Sequence, residues 1–275
     1  MESGVLRIEF GHPEFWKTVY DAYPRFFEVH PKLKVSFNSI AAKPRTFKDR
    51  DQKIILNLCL LAGVAMEELV TLAGNGLGIG AMKIARNLLE LSINAEYLRI
   101  NPAAVDDFVD WFWVEQHKWL TYARQNDPDL LKQFTPEAID RTQQEFARVR
   151  SRFESPKTGK LRGGWCAVDL ASRAVETHFE TAYRLINPFG SQFLHGTSGA
   201  VLNHFDLSIS QDQIAAPPSL KWCAQALCGG HFCLAMVIHT LETMFNEEAN
   251  PSSEEIAKDF QYAWPASAME SLVKE

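Results

Sequence analysis

Residues 76–98 read GLGIGAMKIARNLLELSINAEYL, and this stretch decides the fold class. At roughly 100° per residue its apolar side chains (Leu77, Ile84, Leu88, Leu89, Leu91, Ile93, Ala95 and Leu98) cover most of a helix circumference. Lys83, Arg86, Asn87, Glu90, Asn94 and Tyr97 gather on one stripe roughly 100° wide. A helix this apolar is buried over most of its surface, so the stripe is expected to face a cleft.

Working outward, the neighbouring segments read the same way. Upstream, Thr46 or Asp49 can cap a long helix with an apolar centre at 54–66, and Gly74-Asn75-Gly76 ends it. Downstream, Asn101-Pro102 stops the striped helix and starts another that carries Phe108, Trp111, Phe112, Trp119 and Tyr122. Thr135-Pro136-Glu137 opens a further helix to about Phe153, and 155–164 is a loop. Residues 168–186 read as helical, with a restart expected at Asn187-Pro188. A last long helix spans about 219–245. At the start of the chain, 13–30 reads as a helix interrupted at Pro24, and Pro31 and Pro44 act as breakers in the irregular stretch 31–46. No run of alternating strand residues appears. The expected fold is all-α, a single bundle of seven to nine helices. Its core is 46–247, with a helical appendage at 1–45 and a tail at 248–275 holding at most one short helix.

Composition narrows the classes. The 275 residues are 46% hydrophobic and carry a net charge of −6, which argues against a globally basic nucleic-acid binder. Cys59, Cys166, Cys223, Cys228 and Cys233 form no Cys-x-x-Cys pair, so reduced thiols in a cytoplasmic protein are expected. The opening residues lack a basic segment followed by a long apolar run, so no signal peptide is expected. Residues 222–238 hold no Lys, Arg, Asp or Glu, yet they are short for a bilayer and contain Gln225, Gly229, Gly230 and His231. A buried core helix is the expected reading, with no membrane partner.

The alternating Gly74, Gly76, Gly78 and Gly80 loosely match a dinucleotide fingerprint, but no strand precedes them and no Gly-Lys-Ser/Thr comes after. A helical junction with close backbone packing is expected instead. Within the stripe, Arg86 and Glu90 stand one turn apart. Arg supplies a fork for carboxylate or phosphate, and Glu a base or orienting acceptor. Far downstream, Ser191 and His195 also stand one turn apart, and Gly196 reads as the helix cap.

Arg86-x3-Glu90 in a Gly-started helix ending Tyr97-Leu98, then Tyr183-Arg184 and Ser191-x3-His195-Gly196, resembles a mostly bacterial helical family. That family is catalogued as domain of unknown function five-six-seven-seven. The resemblance covers roughly 50–205. It implies an all-helical fold, with Arg86, Glu90, Tyr183, Ser191 and His195 meeting in space. The family has no established activity to carry over. The resulting expectation is a cleft at Arg86, Glu90 and His195 that binds a small anionic ligand or partner.

A second family offers an enzyme alternative. Arg173-x4-His178 is similar to the Arg–His spacing of the helical ribonuclease superfamily shared by higher eukaryotes and prokaryotes, whose toxins and defence proteins act as dimers. That resemblance implies a homodimer cutting RNA without a metal, with His178 as general acid/base and Arg173 steadying the phosphate. Arg25-x4-His30 shows the same spacing. Ala174 replaces the polar residue usual after the Arg, and five helical residues turn Arg173 and His178 about 140° apart. Residues 141–162 form a local basic strip in which Arg148, Arg150 and Arg152 are RNA-contact candidates. A metal-binding bundle is a third alternative, resting on His239-x-x-Glu242. A di-iron site needs two Glu-x-x-His helices and none is present, so no metal and no cofactor are assigned.

Overall fold

The structure is a computed structural model that describes residues 11–47, 49–155, 157–204, 218–267 and 272. Among these residues every regular element is helical and none is a strand. In chain order they are α1 (Phe15–Ala22), α2 (Pro24–Ala41), α3 (Arg50–Gly74), α4 (Gly78–Ile100), α5 (Val105–Asn126), α6 (Pro128–Leu131), α7 (Pro136–Phe153), α8 (Leu170–Glu176), α9 (Glu180–His195), α10 (Ser198–His204), α11 (Cys223–Phe245) and α12 (Ser253–Ala263). The fold is all-α, and the count exceeds seven to nine because α1, α6, α8 and α10 are helices of one or two turns.

The chain forms two compact units rather than a single bundle. One combines 1–99 with 170–275, and the other is 100–169. In the first, α11 is central and packs on α2, α3, α9 and α12. Its buried face includes Leu227, Leu234, Val237, Ile238 and Leu241. Both α3 and α11 are long and apolar enough to cross a membrane, but 56% and 72% of their apolar windows lie buried in the protein. The buried share of each packs in the helical core, α3 against α11.

The helices α1 and α2, expected as part of an appendage, pack on this core. Phe26, Val29, Leu33, Phe37 and Ile40 recur at helical spacing along α2 and are all buried, and α2 packs on α11, α12 and α3. This packing carries α2 straight through Pro31, where the sequence suggested a break. Likewise α9 continues through Pro188 without restarting. An interior proline costs about 3 kcal/mol. Burial of Leu185, Ile186, Gly190 and Phe193 along α9, like the row on α2, offsets a loss of that size.

Several helix starts carry a side-chain cap. Asp49 accepts from the Gln52 N–H at 2.9 Å and opens α3. Thr135 accepts from Ala138 at 3.2 Å and opens α7. Ser252 and Glu255 form a reciprocal capping box on α12.

In the second unit, α5 and α7 pack together through Trp111 and Phe153, whose rings lie 5.2 Å apart, edge to face. The basic strip of α7 is matched by carboxylates within this unit. Arg148 donates to Asp110 at 2.8 Å and to Glu145 at 2.7 Å. Arg152 donates to Asp107 at 3.0 Å and to Asp110, and Arg150 donates to Glu154. Burial pushes the Asp110 carboxyl up, but the hydrogen bonds from Arg148 and Arg152 together outweigh it and hold it below the usual range. The strip expected to meet RNA is therefore largely neutralised by the protein itself.

Candidate functional site

The polar stripe of α4 does not face one environment. Lys83 and Asn87 are exposed, Arg86 and Glu90 are half-buried, and Asn94 and Tyr97 are buried. The stripe thus runs from solvent into the protein along its length. Its partners come from α8 and α9, which lie antiparallel to α4. Gly190 sits against Met82 and Arg86, whereas Asn94 and Tyr97, two to four turns on, meet Arg173.

Gly190 permits this approach. A Cβ there would lie 2.7 Å from the Arg86 Cβ and 3.0 Å from the Met82 carbonyl oxygen, both too close. With the backbone of α9 so near, the Arg86 Nε donates to the Ser191 Oγ at 3.3 Å. Its Nη1 donates to the Glu90 Oε2 at 2.8 Å. The Ser191 hydroxyl in turn donates to the Asn187 Oδ1 at 3.3 Å. The Arg86 side chain is 16% exposed and that of Glu90 46%. The guanidinium is therefore held on two sides beneath a carboxylate that opens to solvent. A fixed fork of this kind recognises carboxylate or phosphate oxygens, and a half-exposed carboxylate can accept a proton or be displaced by another anion.

Tyr183, Asn187, Ser191 and His195 succeed one another at four-residue intervals and so share a face of α9. Tyr183 is half-buried, two turns from Ser191. His195 is exposed, one turn beyond Ser191, and is the last residue of α9 before Gly196 adopts the left-handed cap with φ 59°. Ser191 meets Arg86, while His195 stands at the solvent end of the row. Asn187 and Gly190 were not singled out from the sequence. Their signal was the four-residue step from Asn187 to Ser191, and a glycine in mid-helix.

The Gly cluster is a packing device. Gly78 is pressed against the backbone of 221–223, and the Ser219 N–H donates to the Gly76 carbonyl at 3.0 Å. The junction joins α4 to the chain entering α11.

Arg173 and His178 face different surroundings. Arg173 is 6% exposed and donates to the Asn94 Oδ1, with its guanidinium 5.8 Å from the Tyr97 ring centre. His178 is exposed and adopts φ 62° in the turn closing α8. In that turn the Phe179 N–H reaches the Ala174 carbonyl at 2.7 Å and the His178 N–H reaches Val175 at 3.2 Å. These are the two bonds of a Schellman cap, whose left-handed position favours glycine. His178→Gly is expected to raise stability by about 0.5–1 kcal/mol by relieving left-handed strain. Urea midpoints of the two proteins check this, and an unchanged or lower midpoint would contradict it.

The metal alternative finds Glu242 already occupied. It accepts from the backbone N–H of Ala249 at 2.9 Å and of Ser253 at 3.0 Å, and from the Ser253 hydroxyl. Glu242 thereby ties α11 to the start of α12. His239 is exposed. Among the described residues no group of three or more His, Cys, Asp or Glu is placed to hold a metal ion.

These features define an all-α protein with an interhelical arginine–carboxylate–serine cluster. The chain belongs to a family of unknown function (DUF5677), whose model matches residues 52–214. The match takes in Arg86, Glu90, Tyr183, Ser191 and His195, and leaves α1, α2, α11 and α12 outside it. No curated protein and no solved structure matches the chain.

Proposed function

We propose that the protein is a ligand-binding helical module that holds a small anion at Arg86, between α4 and α9. The observation that carries this reading is the clamped guanidinium. Ser191 and Glu90 fix its orientation with two hydrogen bonds, leaving most of its five N–H donors for a ligand. Glu90 is the group an incoming carboxylate or phosphate would displace or share. His195, at the exposed end of the row, offers a second donor to a longer ligand. The buried guanidinium of Arg173 and the paired arginines of α7 lend no comparable support to RNA cleavage. The free thiols, four of them buried, support placement in a reducing cytoplasm.

The test is thermal unfolding with inorganic phosphate, succinate or adenosine monophosphate in large excess. At about a hundred times Kd, a ligand of the native state adds about 2.7 kcal/mol. At least one of the three should raise the wild-type Tm and leave that of Arg86→Gln unmoved. Arg86→Lys should recover only part of the shift, because it lacks the planar fork. If none raises Tm, or all raise the Arg86→Gln protein equally, the reading fails.

A further inference from the structure

A second candidate site lies in the same unit, away from Arg86. Two adjoining clefts of about 510 Å³ and 320 Å³ share Tyr23 and Ala224. The larger falls within the roughly 300–1,000 Å³ that accepts a small organic ligand. Its walls are aromatic. The Tyr23 and Trp264 rings lie 6.2 Å apart, and those of Phe26 and Trp264 lie 5.9 Å apart. Trp264 is held by its indole N–H, which donates to the buried His231 Nδ1 at 3.3 Å, so this wall is anchored from behind.

The charges in the trough have one sign. Arg25 lines the larger cleft and Lys221 the smaller, and among the described residues no Asp or Glu lines either. Arg25 is exposed and lies 5.3 Å from the Tyr262 ring centre. Among the described residues it has no carboxylate within ion-pair distance. Glu28, one turn along, instead accepts from the Tyr262 hydroxyl at 2.8 Å.

We infer that this trough binds an amphipathic monoanion, with an apolar aromatic or alkyl body against Tyr23, Phe26 and Trp264 and one carboxylate or sulfonate at Arg25. Apolar burial supplies the affinity and the exposed Arg25 guanidinium selects the charge. The inference does not rest on the Arg86 site.

Fluorescence titration with anilinonaphthalene sulfonate, a probe of this chemistry, tests it. Wild type is expected to show one saturable site, from which decanoate displaces the probe at about a tenth of the concentration that decanol needs. Arg25→Ser should weaken the probe about tenfold, the loss of one charge-assisted contact. Ala224→Trp should abolish binding by filling the shared wall, with far-UV circular dichroism confirming the fold. Arg86→Gln should bind the probe as wild type does, and loss of binding there overturns the inference. It is also overturned if wild type shows no saturable site, or if Arg25→Ser binds within twofold of wild type. Probe binding that falls as protein concentration rises, with dimer formed in sedimentation, would assign the trough to a second copy and equally overturn it.

Discussion

Gly78→Ala is expected to lower the stability of the protein by about 3 kcal/mol, the upper part of the range for forced overpacking. A Cβ at this position would fall inside the Lys221 carbonyl oxygen, close also to the Cys223 backbone N at 3.2 Å. Both neighbours are backbone, and both belong to the segment entering α11, so no side chain can rotate away. For a unit of this size the Tm should drop by roughly 10 °C. Gly80, two residues on in the same helix, provides the control. Its added Cβ would meet only the Leu72 side chain, at 3.4 Å. Gly80→Ala should be near neutral or stabilising by up to about 1 kcal/mol through helix propensity. A phosphate-cradling loop would behave differently, losing ligand while keeping its stability. Equal, small effects of the two substitutions on urea midpoints would sink the packing explanation.

That contrast shows which parts of the fold are legible in a sequence. Boundaries set by local chemistry are. Asp49, Thr135 and the Asn101-Pro102 junction act within four residues of themselves, and the helices start or stop there. Pro31 and Pro188 mislead because the force that overrides them is tertiary. The rows Phe26–Val29–Leu33 and Leu185–Ile186–Phe193 are visible, but their packing partners are not. The division into two units is not distinguishable in sequence from an ordinary helix break. The boundary at Ile100 falls at the end of α4, next to the Asn101-Pro102 junction.

The site divides in the same manner. Arg86 and Glu90 pair within one helix, so a four-residue spacing reveals them. Ser191 joins them from 105 residues away; its one-turn spacing from His195 marked it, and only the family motif linked it to Arg86. The buried link of Arg173 to Asn94 had no pointer. An Arg five residues before a His suggests a joint site, but a helix turns the two apart, and the Schellman turn after α8 leaves His178 in solvent. Spacing along one chain cannot register a neighbour that arrives from another helix.

His231 is the residue for which this matters most, and acid should expose it. On the sequence it is one histidine in an apolar helix. In the fold it is fully buried, ringed by Phe26 at 5.8 Å and Phe260 at 5.2 Å. Its Nδ1 accepts from Trp264, so the ring is neutral with its proton on Nε2, which has no hydrogen-bond partner. Burial drives its pKa down to about 3, and the nearby His30 adds to the effect. His30 is itself lowered by burial; Glu67 of α3 opposes that shift and Lys34 reinforces it. Proton uptake sets the sign. Above pH about 6.5 both rings are neutral in folded and unfolded chains, and their contribution to stability is fully present. Below it the unfolded chain binds protons that the folded chain refuses. Each such histidine then removes about 1.4 kcal/mol per pH unit, down to its folded pKa. At pH 4.5 His231 alone should have removed about 2–3 kcal/mol. Depressed carboxylates such as Asp110 act mainly below about pH 4, where their unfolded forms protonate, so the interval from about 6.5 to 4.5 belongs to histidines. His117, stacked on Phe146 in the other unit, is also lowered, first by burial and then by Arg124 and Arg150, and so adds acid sensitivity of the same sign. The informative quantity is therefore the difference between wild type and His231→Gln, which keeps an acceptor for Trp264 and cannot titrate. Urea midpoints at pH 7.5, 5.5 and 4.5 should fall more steeply for wild type, and parallel curves for the two proteins would show that His231 carries none of the acid sensitivity.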